Sequence, residues 1–283
     1  MTRRSDKVDR VQLWQTSFHG IECYEAQLHH HRFGKHFHDA YTIGMNRGGA
    51  GQCIHRSRQH HHHPGSFNCI NPIEVHTGEV AANSDCWFFQ NIYITPSALR
   101  QFMDQLEWPQ QASLPCFSKI VVDDPSLQSA FQQAFSSLTG SYFQALEQQS
   151  YLLHFFAKLL SRHLQPLSAC RTLKPEHKAV QQVKAYLEAH YAEPASTDEL
   201  GLLVNLNPYY LIRCFHQQVG LPPHGYKKQC QLLRAKQALS GKESIAAIAI
   251  RCGFYDQSHL NRVFKQSYGM TPGQYRKASN KRG

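Results

Sequence analysis

The fold of the C-terminal part is decided by residues 244–277, which read SIAAIAIRCGFYDQSHLNRVFKQSYGMTPGQYRK. Apolar residues recur at helical spacing from Ile245 to Ala249, the pattern breaks at Gly253, and a second amphipathic run begins after Asp256. Glycine permits the left-handed backbone of a tight turn, and an aspartate accepts hydrogen bonds from the free N–H groups of a helix's first turn. The pattern predicts a helix, a tight turn and a second helix over about 244–269.

The second of these helices is predicted to display a polar face. With Leu260, Val263 and Phe264 buried, the candidate DNA-contacting residues are Gln257, Ser258, His259, Asn261, Arg262 and Lys265. Arg, Gln and Asn make paired contacts to base edges in the major groove of DNA. Any solvated helix can carry the same residue types, so this helix alone favours neither interpretation.

Residues 196–220, STDELGLLVNLNPYYLIRCFHQQVG, repeat the arrangement. Apolar stripes lie on both sides of a turn at residues 205–207: Leu200, Leu203 and Val204 before it, and Leu211, Cys214 and Phe215 after it. Asn207 followed by Pro208 suits a helix start. The exposed face of that helix carries Tyr209, Ile212, Arg213 and His216, where Ile212 either meets a thymine methyl group or packs within the domain. Residues 226–239 predict one long helix between the two units.

The wording GF-x-D-Q-S-H-L-x-R-x-F-K-x-x-x-G-x-T-P-x-x-Y-R, from Gly253 to Arg276, resembles the signature of the AraC/XylS family of bacterial transcription regulators. The resemblance implies two helix-turn-helix units that address successive major-groove segments of double-stranded DNA. It also implies a small-molecule effector, contact with RNA polymerase, a homodimer, and activation more often than repression. In the family, a glycine usually occupies the turn where this chain has Asn205, which tolerates the same backbone.

Charge divides the chain into two parts. Residues 170–283 hold 17 Lys and Arg against 7 Asp and Glu, a balance of +10, whereas residues 1–169 hold 13 of each, a balance of zero. Excess positive charge next to two helix-turn-helix units fits binding to phosphates. We expect an effector-binding and dimerisation domain at residues 8–164, a linker at 165–175 that contains two prolines, and a DNA-binding domain at 176–279.

The sequence predicts a cytoplasmic protein without a membrane partner. The N-terminus lacks the apolar core of a secretory signal, and the longest apolar run, residues 151–160, contains His154 and Lys158 and is too short to cross a bilayer. Nine cysteines, an odd number without a Cys-x-x-Cys pair, argue against a disulfide framework and against a structural zinc site.

Residues 21–93 alternate apolar and polar positions between Gly, Pro and Asn punctuation, which predicts a β-sandwich or barrel. The stretches HFHDAYTIGMNRGGAGQ and PGSFNCINPIEVHTG resemble the cupin-like sensing domain of many AraC-family regulators. Helices are predicted at residues 95–106 and 125–164, and their apolar stripes either pack as a bundle core or pair two chains. The expected fold class is α+β, with the cupin-like domain and its trailing helices followed by an all-α domain.

Seven residues are candidates for effector binding: His36, His38, Tyr41, Asn71, Glu74, His76 and Trp87. His36, His38 and His76 also suit a metal ion, because neutral imidazole is a common ligand of zinc, iron and nickel. Metal-binding cupins place a glutamate shortly after the second histidine, where this chain has Thr42 and Ile43. A metal, a direct effector contact and a structural role therefore remain open for these three histidines, and neither a metal nor another cofactor is predicted.

Two histidine clusters, residues 29–31 and 60–63, are expected to form solvated loops. Two enzyme classes stand as alternatives to a regulator. The first is a cupin metalloenzyme fused to a DNA-binding domain, which the missing glutamate disfavours. The second is an alkyl-transfer repair regulator, which needs a Pro-Cys-His-Arg context, whereas Pro115-Cys116 continues as Phe117-Ser118. We therefore expect a ligand-responsive regulator without catalytic residues.

Overall fold

The computed structural model describes residues 8–106, 116–163 and 178–280, which form two compact units. The strand within the short segment Phe33–Phe37 is hydrogen-bonded to the strand that begins at His76. The predicted linker at 165–175 lies outside the described residues. The proposed functional boundaries of the domains remain predictions.

The described residues of the N-terminal half form ten strands. They are β1 (Arg10–Gln15), β2 (Ile21–Leu28), β3 (Phe33–His36), β4 (Tyr41–Gly49), β5 (Gly51–His55), β6 (Arg58–His62), β7 (Phe67–Ile70), β8 (His76–Val80), β9 (Trp87–Ile94) and β10 (Val121–Val122). One sheet has the order β1-β2-β9-β4-β7-β10 and the other β3-β8-β5-β6. His62 of β6 stacks on Trp87 of β9 with ring centroids 5.6 Å apart, so the inner faces of the two sheets meet. The predicted sandwich is confirmed.

The two faces of the larger sheet have different partners. Three helices, α1 (Pro96–Gln105), α2 (Pro125–Thr139) and α3 (Ala145–His163), share one apolar core with strand residues such as Ile43 and Ile92. Because side chains alternate along a strand, Trp87, Phe89, Asn91 and Tyr93 of β9 point to the opposite face, between the sheets. Leu146, an apolar residue of the predicted helices at 125–164, is exposed and lies outside this core.

Seven helices are described in the C-terminal unit: α4 (Lys178–Ala189), α5 (Thr197–Leu203), α6 (Pro208–Val219), α7 (Pro223–Ala238), α8 (Ile245–Arg251), α9 (Gln257–Tyr268) and α10 (Pro272–Ser279). The predicted long helix is α7, which begins three residues earlier than expected. It packs against α4, against α6 of the first helix-turn-helix unit, and against α8 and α9 of the second. The single helix α7 therefore connects the two helix-turn-helix units.

Both helix-turn-helix units form as predicted. Asn205 has φ +51° and Gly253 φ +80°, so each turn contains the left-handed residue that its sequence indicated. Asn207 caps α6 by accepting from the backbone N–H groups of Tyr209 and Tyr210, and Asp256 caps α9 by accepting from His259. The prediction is wrong for Leu203, which is about half exposed, whereas Leu200 and Gly201 are the buried residues of α5.

The described cysteines are of two kinds, free thiols and a disulfide-bonded residue. Seven have free thiols: Cys23, Cys53, Cys69, Cys86, Cys214, Cys230 and Cys252. Burial raises the pKa of the Cys53 thiol to about 12, so this thiol stays protonated at neutral pH. Cys116 is instead disulfide-bonded, which the cysteine count did not predict. Among the described helices, none is both long enough and apolar enough to span a membrane.

Candidate DNA interface and effector site

Helix α9 presents the predicted polar face. Gln257, Ser258, Arg262 and Lys265 are exposed and Asn261 is half-buried, while Leu260 and Phe264 on the opposite side are fully buried. The helix N-terminus is free of acidic side chains apart from its cap, Asp256. The buried side anchors the helix to its domain, and the exposed side leaves Arg262 available for a base edge or a phosphate.

His259 differs from the other candidates on α9. Its Nδ1 accepts from the backbone N–H of Tyr255 at 3.4 Å, and its ring packs edge-on against Phe254 with centroids 5.5 Å apart. Burial lowers the pKa of His259, and the nearby charges of Lys228 and Arg262 lower it further. A neutral His259 thus holds the turn together and has only Nε2 left for a ligand.

On helix α6, the structure exposes Tyr209, Arg213 and His216 and leaves Ile212 half-buried. The guanidinium carbon of Arg213 lies 5.6 Å from the ring centroid of Tyr210, a cation–π contact that limits the side chain's freedom. Partial burial of Ile212 supports the packing alternative for this residue without removing it from the surface.

Sequence reasoning missed Tyr255, which precedes the α9 cap and is 86% exposed. An exposed aromatic side chain beside a helix N-terminus can contact a sugar or a base. The available signal was its position, between the turn glycine and the helix cap. Arg251, by contrast, is exposed but held by Glu243 through two guanidinium nitrogens, with Nη2 at 2.6 Å from Oε2. Positive residues of this domain therefore differ in how freely they can meet phosphates.

The candidate effector site lies between the two sheets. A chain of ring contacts runs through it, from His62 to Trp87, on to Phe89 at 4.4 Å and to Tyr24 at 6.1 Å. The chain continues from Tyr24 to Tyr93 at 6.0 Å, to His38 at 5.0 Å and to His76 at 5.4 Å. Of the predicted effector residues, Trp87, His38 and His76 therefore belong to one lining.

Three polar groups in this region are buried without a partner among the described residues: Trp87 Nε1, Asn91 Oδ1 and Thr42 Oγ1. Buried polar atoms are normally hydrogen-bonded, so such groups indicate a site for a ligand or water. Sequence reasoning did not select Tyr24, Phe89, Asn91 or Tyr93. The alternation in β9, WFFQNIYI, was the signal, because its odd positions share one face with Trp87.

Three other predicted effector residues are engaged elsewhere. Tyr41 lies in the core shared with the helices, edge-on to Phe117 at 6.1 Å, and burial raises its pKa. Asn71 exchanges two hydrogen bonds of 2.9 Å with the backbone of Phe117. The Glu74 carboxylate accepts from Arg56 at 2.5 Å and pairs with His55 at 3.0 Å. Although burial opposes it, these two partners hold the pKa of Glu74 low.

The histidine clusters differ from the expected loops. His60, His61 and His62 lie in β6, and His62 is buried with its Nε2 at 3.3 Å from Cys53 Sγ. Burial lowers the pKa of His62 to about 4. The solvated-loop prediction is therefore wrong for these three residues, because strand alternation turns His62 inward while His61 faces solvent.

His36, His38 and His76 come together as predicted. All three are buried, and one ring nitrogen of each lies within 4.8 Å of the others. His36 ends β3 and His76 begins the neighbouring β8. This is the one group of three metal-capable side chains found within the part of the chain that the structure describes.

Comparisons with known proteins agree with both domains. The family model of the AraC-like ligand binding domain matches residues 18–156, and that of a helix-turn-helix domain matches residues 202–278. The HTH-type transcriptional activator RhaS of Enterobacter sp. (strain 638) is 26% identical over 267 residues, which cover 92% of this chain and 93% of RhaS. The Arabinose operon regulatory protein of Escherichia coli (strain K12) is 24% identical over 241 residues, 83% of this chain and 80% of that protein.

A crystal structure of ToxT from Vibrio cholerae shares the fold, with a TM-score of 0.55 at 11% identity over 96% of this chain and 99% of ToxT. The sequence relatives are transcription regulators, and the enzyme alternative finds no support among them. The chain belongs to the AraC/XylS family of bacterial transcription regulators, with a ligand-binding domain followed by a helix-turn-helix DNA-binding domain.

Proposed function

We propose that this chain reads two successive major-groove segments with α6 and α9, and that an effector between the two N-terminal sheets alters this binding. The observation that carries the proposal is the pair of helix-turn-helix units, each with an exposed arginine in its second helix. Arg213 and Arg262 are assigned to base or phosphate contact, together with Tyr209, His216, Gln257, Ser258, Asn261 and Lys265.

The test is selection of bound fragments from a random pool of double-stranded DNA at two salt concentrations. We expect a site with two half-elements about one helical turn apart, and weaker binding at the higher salt because counterions are released on binding. An enriched site with a single half-element would contradict reading by both units.

The effector is proposed to be a small molecule that stacks on aromatic rings and carries both acceptor and donor groups. Trp87 Nε1 supplies a donor, and Asn91 Oδ1 supplies an acceptor. Titration of a metabolite collection, followed by tryptophan fluorescence, tests this. A binder should change the signal of the wild type and lose its effect in Trp87→Phe, while a signal that persists in Trp87→Phe would remove Trp87 from the site.

The remaining assignments follow the regulator function. We propose that the protein acts in the cytoplasm without catalysing a reaction, and that it activates transcription through contact with RNA polymerase. The names of RhaS relatives as transcriptional activators support activation. A homodimer is proposed through the apolar side chains Tyr142 and Leu146 near the start of α3, which are 94% and 74% exposed.

A further inference from the structure

Three histidines on or beside the neighbouring strands β3 and β8 are arranged like metal ligands. Each of His36, His38 and His76 is buried, and their candidate ligand atoms lie within 4.8 Å of one another. A metal–nitrogen bond of 2.0–2.1 Å would place tetrahedral ligand nitrogens about 3.3 Å apart. Small inward movements of the rings would therefore bring all three to one ion.

Hydrogen bonds to backbone carbonyl groups fix the tautomer of two of these imidazole rings. His36 Nδ1 lies 2.7 Å from the carbonyl oxygen of Gly34, and His76 Nδ1 lies 2.9 Å from that of Glu74. A carbonyl oxygen only accepts, so each Nδ1 carries the proton. In a neutral ring, Nε2 then bears the lone pair. Metal-binding histidines are oriented in the same way, with the other ring N–H donated to a carbonyl or carboxylate.

We propose that His36, His38 and His76 bind one divalent first-row transition-metal ion, of the zinc or nickel class. Neutral imidazoles suit such ions, whereas Mg²⁺ and Ca²⁺ require oxygen ligands. Three protein ligands leave one position open for water. The Glu74 carboxylate, two residues before His76, is already engaged by His55 and Arg56. The proposal stands independently of DNA binding.

The experiment uses the full chain, free of any affinity tag and stripped with a chelator. Equilibrium dialysis against Zn²⁺, followed by elemental analysis, gives the stoichiometry for the wild type and for His36→Gln, His38→Gln and His76→Gln. The control is the double variant His30→Gln/His61→Gln, which removes two exposed imidazoles from the surface clusters. Thermal unfolding with and without Zn²⁺ is recorded for every variant.

We expect one tightly bound Zn²⁺ in the wild type and in the control, and loss of that stoichiometric binding in each of the three single variants. Zn²⁺ should raise the Tm of the wild type and the control only, because a ligand of the native state stabilises it. Absence of a stoichiometric ion in the wild type would overturn the proposal, as would binding that survives in the three variants and disappears in the control.

A second measurement covers the case in which a glutamine variant does not fold. Co²⁺ bound to the wild type should shift exchangeable imidazole N–H proton resonances, including those of the Nδ1 protons of His36 and His76. Two or more such resonances support the three-histidine site. If none is shifted, the ion is held elsewhere and the proposal fails.

Discussion

At the scale of single residues, the C-terminal unit separates arginines that are free from arginines that are engaged. Arg262 projects from the exposed face of α9, whereas Arg251 forms a salt bridge with Glu243. Both are exposed and only eleven positions apart, so sequence position and residue type do not distinguish them. The difference lies in the carboxylate that the turn before α8 brings to Arg251.

Replacement of Arg262 by alanine is therefore expected to weaken operator binding by roughly 1–3 kcal/mol, about 5-fold to 150-fold, because a paired arginine–guanine contact is lost. Fluorescence anisotropy with the selected operator measures this. The matched control, Arg251→Ala, should bind like the wild type. Unchanged affinity in Arg262→Ala, with an unaltered Tm, would remove Arg262 from the interface.

The turn residue Asn205 gives a second prediction at this scale. With φ at +51°, replacement by alanine should destabilise the domain by about 1 kcal/mol, while replacement by glycine should be neutral or slightly stabilising. Urea unfolding monitored by circular dichroism compares the two variants. An alanine variant as stable as the glycine variant would mean that the left-handed turn is absent in solution.

At the scale of elements, Asp124 connects two helices of the N-terminal unit. Its side chain caps α2 by accepting from Ser126, and it also accepts from Arg162 at 2.6 Å and His163 at 2.8 Å on α3. Burial by itself would raise the pKa of Asp124, but bonds from Ser126, Arg162 and His163 hold it well below the usual value. The carboxylate is thus stabilised in the folded state.

We expect Asp124→Asn to destabilise the protein by about 1–3 kcal/mol at pH 7. Because the folded pKa lies below the unfolded value, the wild-type advantage is complete above about pH 4 and declines as the pH falls further. Denaturant unfolding at pH 7 and pH 3 tests both statements. The neighbouring Asp123, exposed and paired with exposed His63, is the control, and Asp123→Asn should cost less than about 1 kcal/mol.

Strand β9 of the larger sheet carries Trp87, a residue of the candidate effector site. Gly51 on the facing sheet leaves no room for a side chain, since a Cβ there would meet the indole of Trp87 at 2.2 Å. We expect Gly51→Ala to displace Trp87 and shift its fluorescence. The substitution should also weaken any effector that contacts Trp87. Unchanged emission in Gly51→Ala would show that the indole lies elsewhere.

At the scale of the whole molecule, the proposed dimer depends on apolar side chains that a single chain leaves exposed. Tyr142 and Leu146, near the start of α3, are exposed apolar side chains. We expect Leu146→Asp to convert a dimer to a monomer in analytical ultracentrifugation, because a buried unpaired carboxylate opposes association. Leu202→Asp, at an 82% exposed position in the other unit, should leave the oligomeric state unchanged. A monomeric wild type would exclude the proposed dimer.

Where structure is local, the architecture could be predicted from the amino-acid sequence. The turn residues Asn205 and Gly253, the caps Asn207 and Asp256, and the apolar spacing of α9 were legible because helices and turns are specified by neighbouring residues. Strand alternation likewise indicated a sandwich. The fold class and both helix-turn-helix units were therefore predictable from the chain.

Which candidate side chains share a site depends on contacts between residues that are distant in the sequence. Tyr41 packs in the core shared with the helices, and Asn71 is hydrogen-bonded to the backbone of Phe117. Glu74 pairs with His55 and Arg56, and His62 is buried beside Trp87. These outcomes depend on which strands become neighbours and on which face each strand buries. Pairing between strands distant in sequence fixes both, so a single strand's pattern cannot reveal them.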